Sequence, residues 1–401
     1  MARILFVVPP LAGHVNPTVA VGAALAARGH DPSWVGHPDV VPPLLAPGAA
    51  FVPVDEAVPA EVIAAVAERS SGLRGPAALR FLWRDVLMPL ATTMLPGVGR
   101  AVAAIDPDAL VVDQQALAGA AAAELAGIPW ATSATTSGEL TDPLATMGRV
   151  GEWVRGLMTG FLLEAGLDPA RAAALDPRFS PDLLVAFTTG ALVGPIARFP
   201  AHYAFVGPSF AGRPDRSPFP WEWLQPGTPL VLVSLGTLNA HDGARFFGEA
   251  VAALGPLPVQ AVVVANPGRV PDPPANVVVR PRIPQLTLLA HAAAVVTHGG
   301  HNTVCEALAH GLPLVVAPIR DDQPIVAQQV VEAGAGVRVR FGRVTAAGLR
   351  AAVEAVLGEP DYRRAAARVQ SSFARAGGAG AAARRIEQAL LVPARGRAAW
   401  N

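Results

Sequence analysis

Short runs of aliphatic and β-branched residues alternate along the chain with longer, alanine-rich stretches. Residues 3–9 read RILFVVP and residues 109–113 read ALVVD, and a stretch with helical character follows each of them. Strands that are buried on both faces show such continuous apolar runs, and parallel strands need a helical crossover between them. The pattern therefore predicts an α/β fold with doubly wound, parallel sheets.

The alternation weakens in a stretch rich in proline and glycine and restarts with PLVLV at residues 229–233. Such a break is typical of a linker between domains. The sequence thus predicts two Rossmann-like domains that face each other across a cleft, residues 1–207 and residues 229–401, joined by a linker at residues 208–228. We expect the carboxyl-terminal helix to pack back on the first domain.

Composition narrows the class of partner. A chain of 401 residues fits two domains, and its 31 basic and 31 acidic side chains cancel, so no global field draws it to nucleic acid. Although 52% of the residues are hydrophobic, no stretch of about 18 apolar residues lacks proline, glycine or charge. The amino terminus is interpreted as a buried strand rather than a signal peptide. We expect a cytoplasmic protein that binds small molecules and does not insert stably into membranes.

The chain contains no lysine, and Cys305 is its single cysteine. These absences exclude a P-loop lysine, a Schiff-base lysine, an internal disulfide and a cysteine-based zinc site. Cys305 itself follows an apolar helical pattern and is expected in the core.

A candidate base follows the first strand, in LAGHVNP. We expect Gly13 and His14 in the turn and Pro17 in the first turn of the next helix. A histidine beside a helix amino terminus is kept neutral, ready to accept a proton. Asp113 ends another strand at the same sheet edge and could orient the ring. The alternative is that His14 is a turn residue that only bonds backbone groups. The position of Asp113 at a matching strand end favours a His14–Asp113 dyad.

A candidate anion site lies in residues 297–322, THGGHNTVCEALAHGLPLVVAPIRDD. The pattern predicts a strand, a glycine turn and a helix, whose unpaired N–H groups and positive dipole suit a diphosphate. His298 and Thr303 could donate to phosphate oxygens, and Asn302 could add another bond or hold the turn. Glu306, one helical turn further on, could accept from ribose hydroxyls.

Two further features concern the same domain. The turn SLGTLN after the strand PLVLV makes Ser234 and Thr237 available to the same phosphate. Asp321 and Asp322 could bind a metal, but together with Gln323 they equally suit the hydroxyls of a sugar, and we favour hydroxyls. His298 and His301 are too close together to face one ion from a regular helix, so we predict no metal site.

These motifs resemble those of the inverting GT-B glycosyltransferases, the group of UDP-glycosyltransferases and bacterial antibiotic glycosyltransferases of the macrolide type. The stretch THGGHNTVCEALAHGLPLVVAPIRDDQP, preceded by PRIPQLTLLAHA, resembles their nucleotide-sugar signature, and LAGHVNP resembles their amino-terminal catalytic motif. The carboxyl-terminal half carries most of the resemblance. The amino-terminal half matches only at its first strand and turn and around Asp113.

The resemblance implies that His14 deprotonates the acceptor hydroxyl and that Asp113 is its partner. It implies that Ile283 and Gln285 lie at the nucleobase. It implies that the diphosphate is held by His298, Asn302 and Thr303, with Gly299 and Gly300 shaping the turn. It also implies that Glu306 holds the ribose and that Asp322 and Gln323 hold the sugar hydroxyls. Where this family usually has an aromatic residue that stacks on the base, this chain has Arg282, whose guanidinium plane can also stack. The donor is therefore expected to be a UDP- or dTDP-sugar, with no other cofactor.

The implied reaction is a metal-independent, inverting transfer of a hexose to a hydroxyl of a hydrophobic acceptor, such as a polyketide, a macrolide or a flavonoid-like scaffold. The acceptor is expected against apolar side chains of the first domain, each of which has plain core packing as its alternative: Phe81, Trp83, Met88, Met147 and Trp153. Two rival functions are a sugar-nucleotide epimerase of the same fold and a non-catalytic sugar-nucleotide-binding homologue. A dehydrogenase is disfavoured because GHVNP is not a G-x-G-x-x-G fingerprint. The oligomeric state stays open, with a homodimer as one option.

Overall fold

The computed structural model describes residues 1–54, 69, 72–73, 75–210, 217–236 and 243–391. Its first sheet has seven parallel strands in the order β3-β2-β1-β4-β5-β6-β7. The strands are β1 (Arg3–Val7), β2 (Asp31–Gly36), β3 (Ala50–Pro53), β4 (Ala109–Asp113), β5 (Trp130–Ala134), β6 (Leu183–Ala186) and β7 (Tyr203–Phe205). The strand order is that of a Rossmann fold, in which ligands bind beyond the carboxyl ends of the strands where the order reverses. Here that crevice lies beyond β1 and β4.

Helices cover both faces of this sheet. They are α1 (Ala12–Ala26), α2 (Gly75–Ile105, with a π-helical turn at Leu82–Leu87), α3 (Leu117–Ala126), α4 (Arg149–Glu164), α5 (Pro169–Ala174) and α6 (Gly190–Val193). By length and composition alone, α2 could cross a membrane. In the fold, its residues Met94 and Val98 are buried in the core with Leu110 of β4.

The second sheet has six parallel strands in the order β10-β9-β8-β11-β12-β13. The strands are β8 (Leu230–Ser234), β9 (Gln260–Val264), β10 (Val277–Arg280), β11 (Ala292–Thr297), β12 (Leu314–Val316) and β13 (Gly336–Arg338). The helices are α7 (Ala244–Leu254), α8 (Gln285–Leu289), α9 (His301–Ala309), α10 (Gln323–Glu332), α11 (Ala346–Gly358), α12 (Pro360–Ala376) and α13 (Gly378–Ile386). The two parallel sheets confirm the predicted α/β, GT-B architecture.

The carboxyl-terminal segment lies on the first domain. Ile386 of α13 is fully buried in the same core cluster as Val19 and Val21 of α1. Beyond it, Glu387 accepts from Arg28 Nε at 2.7 Å and lies 2.9 Å from His30 Nε2. Its pKa is lowered to about 2, chiefly by the hydrogen bond from Arg28.

The start of α1 differs from the prediction. The helix begins at Ala12, so His14 lies in its first turn rather than in a preceding loop, and Pro17 lies inside the helix. A proline inside a helix removes one backbone donor. In this fold a side chain of the second domain takes that place, since Asn302 Nδ2 donates to the Gly13 carbonyl at 2.6 Å.

Candidate active site

His14 and Asp113 meet at the carboxyl edge of the first sheet. Nδ1 of His14 lies 2.9 Å and 3.0 Å from the two carboxylate oxygens of Asp113. The Thr135 hydroxyl donates to Asp113 Oδ2 at 3.0 Å and lies 2.8 Å from His14 Nδ1. A carboxylate at Nδ1 fixes the hydrogen on that nitrogen and leaves Nε2 as the basic one. Thr135, which directly follows β5, was missed at the sequence level.

The environment raises the pKa of His14. Burial on its own would lower the pKa, but the charge of Asp113 and its hydrogen bond to the ring outweigh burial, with smaller contributions from Asp322 and Glu139. The expectation of a ring kept neutral by the helix dipole was therefore incomplete. The helix dipole contributes about 0.3–1 kcal/mol at an exposed site, which is less than one pKa unit. A carboxylate in direct contact shifts a pKa by roughly one to three units, so Asp113 has the larger effect.

Asp322 and Glu139 bring two more half-buried carboxyls to this region. The Thr136 hydroxyl of the first domain donates to Asp322 Oδ2 of the second. Burial raises the pKa of Asp322 although that hydrogen bond opposes it, and burial raises the pKa of Glu139 although Arg178 opposes it. Carboxyl groups of both domains therefore contribute to the raised pKa of His14, with Asp113 as the largest of them.

The predicted diphosphate cradle is formed as a strand, a glycine turn and a helix. β11 ends at Thr297, and α9 begins at His301 with Gly300 as its N-cap. Gly299 has φ +89°, and a Cβ there would lie 2.9 Å from Val316 Cγ1, so the turn requires glycine. Gly300 has no side chain with which to cap α9, and the N–H groups of the first turn have no partner within the helix, so they suit an anion.

The His298 ring is held in its neutral form. It is 8% exposed, and burial lowers its pKa to about 4. It lies against the turn after β8, where a Cβ at Gly236 would come within 2.8 Å of the ring. Ser234, at the end of β8, is buried and forms a backbone hydrogen bond with the ring. Thr237 lies outside the described residues.

The residues predicted to hold the nucleoside lie beside the cradle. Glu306 is buried in α9 and accepts a hydrogen bond from Gln285 Nε2 at 2.6 Å. Ile283 is buried in the core, whereas Arg282 is exposed. Thr303, which is predicted to contact the diphosphate, is 9% exposed and lies in the first turn of α9.

Gln323 has part of its hydrogen-bonding capacity in use. Its Oε1 accepts from the backbone N–H groups of Ile319 and Arg320 at 2.9 Å and 3.1 Å. The amide NH₂ is then the group with which it could donate to a sugar hydroxyl. Asp322 stands at the N-cap of α10, directly before it.

His301 and Cys305 serve the contact between the domains. His301 Nδ1 lies 3.1 Å from the Ser137 hydroxyl, and burial lowers its pKa to about 4. Cys305 is 2% exposed, which confirms its predicted place in the core. Among the residues that the structure describes, no group of three or more His, Cys, Asp and Glu side chains could hold a metal ion.

Comparison with known proteins agrees with this geometry. The family model for "UDP-glucoronosyl and UDP-glucosyl transferase" matches residues 209–374. The 4'-demethylrebeccamycin synthase of Lentzea aerocolonigenes is 31% identical over 93% of this chain and 96% of its own. The chain belongs to the UDP-glycosyltransferase family. It is therefore a glycosyltransferase that takes its sugar from a nucleotide donor.

Other relatives of this glycosyltransferase extend over the whole chain. The demethyllactenocin mycarosyltransferase of Streptomyces fradiae is 30% identical over 98% of this chain and 87% of its own. Two solved structures, each 26% identical, are the glycotransferase of kitacinnamycin and the calicheamicin glycosyltransferase CalG4. The first has a TM-score of 0.78 and covers 97% of this chain and 99% of its own, and the second has 0.75, with 98% and 99%. These matches confirm the predicted family and the GT-B fold.

The side chains predicted to contact the acceptor occupy different environments in this glycosyltransferase. Trp83 is 3% exposed and lies in the core, whereas Met147 is 44% exposed. Phe81, Met88 and Trp153 are half-buried, the last two against the core of the first domain. Their part in acceptor binding stays a prediction.

Replacing Gly300 with alanine is expected to weaken binding of a nucleoside diphosphate to this glycosyltransferase. A Cβ at this position would lie 2.6 Å from His298 Nε2, so the ring must shift within the cradle. Overpacking of this kind costs about 1–3 kcal/mol, which corresponds to roughly 5- to 150-fold in Kd. Calorimetry with UDP and dTDP measures the change. Gly248→Ala, at an exposed helical position with open space around it, is the matched control. Equal affinities in the two variants would contradict the proposed cradle.

Proposed function

We propose that this enzyme transfers a hexose, with inversion at the anomeric carbon, from a UDP- or dTDP-sugar to a hydroxyl of a hydrophobic small molecule. The observation that carries the proposal is that the His14–Asp113 pair of the first domain lies close to the first turn of α9 in the second domain. On the first domain, Asp113 and Thr135 hold Nδ1 of His14. On the second, the first turn of α9 is bonded through Asn302 to Gly13, the neighbour of His14.

The proposed reaction is a single displacement. Nε2 of His14 takes the proton of the acceptor hydroxyl while its oxygen forms a bond to the anomeric carbon. The bond from that carbon to the diphosphate oxygen breaks on the opposite face, so an α-linked donor gives a β-linked product. Asp113 stabilises the imidazolium that forms. General base assistance of this kind accelerates a reaction by roughly a hundred- to ten-thousand-fold.

The leaving diphosphate gains charge as that bond breaks. We propose that the first turn of α9, the neutral His298 ring and the Thr303 hydroxyl stabilise this charge by hydrogen bonding. These groups suit metal-independent departure, because none of them is a carboxylate that would need a cation between itself and the phosphate. Asp322 and Gln323 then bind the hydroxyls of the sugar.

Acceptor chemistry is proposed from the relatives and from the first domain. A relative named for demethylrebeccamycin and another named for demethyllactenocin suggest a natural product as the acceptor.

A free, buried thiol at Cys305 suits the reducing cytoplasm, where we propose that the enzyme acts. A homodimer stays a prediction, which light scattering of the purified chain tests.

One experiment tests the proposed reaction. The protein is incubated with a panel of UDP- and dTDP-sugars and hydrophobic hydroxylated acceptors, with and without a chelator, and products are analysed by mass spectrometry and NMR. A β-linked glycoside that forms from an α-linked donor in the presence of chelator is the expected result. Conversion of the sugar nucleotide without an acceptor would favour the epimerase, and donor binding without any conversion would favour a non-catalytic homologue.

The pH dependence of transfer should report the His14–Asp113 pair. The ring acts as a base only when neutral, and its pKa is raised, so kcat/KM should fall on acidification at a pH above the ordinary histidine value of about 6.5. Asp113→Asn removes the main cause of the raised pKa, so the fall should move to lower pH while the plateau decreases. A fall that stays at the same pH in this variant would assign it to another group, such as Glu139 or Asp322.

A further inference from the structure

Pro17 leaves one carbonyl of α1 without its helical donor. In an α-helix the N–H of residue 17 would donate to the carbonyl of residue 13, and proline has no N–H. The Gly13 carbonyl instead accepts from Asn302 Nδ2 at 2.6 Å. This carbonyl belongs to the peptide unit whose nitrogen is that of His14, so the bond from Asn302 holds the backbone at the proposed base.

The same turn of α9 also contacts the segment that follows β5 and carries Thr135, one of the two partners of His14. His301, directly before Asn302, contacts the Ser137 hydroxyl at 3.1 Å. Ser137 follows closely on Thr135, which bonds both Asp113 and the His14 ring. Two consecutive residues of α9 therefore hold two segments of the first domain, one that carries His14 and one that carries Thr135.

We infer that Asn302 is a positioning residue, which sets the place of His14 relative to the diphosphate cradle. The inference rests on the proposed base role of His14 and adds to the part in diphosphate binding that the resemblance implies for Asn302. An amide NH₂ carries two hydrogens. One can donate to the Gly13 carbonyl while the other donates to a phosphate oxygen. A bound diphosphate would then hold the Asn302 amide in place, and the amide would in turn hold the backbone at His14.

The proline provides a direct test, because replacing it returns the missing donor. Pro17→Ala supplies a backbone N–H to the Gly13 carbonyl and makes the bond from Asn302 dispensable. The bond from Asn302 to a phosphate oxygen is lost in both backgrounds, so we expect the fold loss of kcat on Asn302→Ala, at saturating donor, to be about fivefold larger in the native background than in the Pro17→Ala background. An equal fold loss in both backgrounds would overturn the inference and leave Asn302 as a diphosphate ligand only.

Thr303→Ala is the matched control, since Thr303 lies in the same turn of α9 and its loss should be the same in both backgrounds. Hydrogen exchange gives a readout that does not depend on transfer. In the wild-type chain, UDP or dTDP should slow exchange of the amides at residues 12–16, and in Asn302→Ala it should not. Slowing of equal size in both proteins would contradict the inference. Absence of transfer by the wild type, with the exchange result intact, would count against the proposed function alone.

Discussion

Replacing His14 with alanine is expected to lower kcat by roughly a hundred- to ten-thousand-fold, because the acceptor oxygen then attacks without a base. Nucleotide binding should be retained. The contacts of the His14 ring are with Asp113 and Thr135 of the first domain, and the predicted cradle for the nucleotide is formed by α9 of the second. Product formation at saturating donor measures kcat, and calorimetry with UDP and dTDP measures the retained affinity.

A second histidine of the same domain serves as the control for this experiment. His202 directly precedes β7, an edge strand of the first sheet, and its ring contacts Tyr203, so His202→Ala should keep the wild-type kcat. Retention of wild-type kcat in His14→Ala would contradict the base assignment. Glu139 and Asp322, the other carboxyls that interact with His14, would then be the groups to replace next.

The elements that the sequence predicted well are those whose signal is local. Parallel strands buried on both faces are continuous apolar runs, so β4 at Ala109–Asp113 was predicted to the residue. The glycine turn before α9 was equally plain, because Gly299 occupies a backbone conformation that other residues rarely adopt. Both predictions depend on a few consecutive residues, and no distant part of the chain alters them.

The contacts between distant segments could not be predicted in the same way. Thr135 lies far along the chain from His14, and nothing in the order of residues brings its hydroxyl to the His14–Asp113 pair. The start of α1 was misplaced because Pro17 breaks the local helical pattern. The structure supplies the lost bond from Asn302, in another domain. Where a local rule is broken, the compensating group lies elsewhere in the fold.

The most severe loss of stability is expected from Arg178→Met. Arg178 is 2% exposed and donates to Asp176 Oδ1 and to Asp142 Oδ1 at 3.0 Å and 3.1 Å. It also lies 3.8 Å from Glu139 Oε2 and is the buried cation that these three carboxylates share. Asp142 and Asp176 are 39% and 32% exposed, so water can solvate part of the charge that the buried arginine leaves behind, and we expect a cost of about 2–3 kcal/mol in the free energy of unfolding. Urea denaturation measures that loss.

The loss of stability expected for Arg178→Met is larger than that expected for an arginine in an exposed ion pair. Arg171 pairs with Glu124 at 2.7 Å but is 44% exposed, so Arg171→Met should cost no more than about 1 kcal/mol. Arg178→Lys should fall between the two, because an ammonium keeps the charge but cannot serve several carboxylates with the planar fork of arginine. Equal unfolding midpoints for Arg178→Met and Arg171→Met would contradict the role of Arg178. Arg178 also opposes the effect of burial on the pKa of Glu139, so its loss should raise that pKa further. Because the charge of Glu139 contributes to the raised pKa of His14, the substitution should also affect the proposed base.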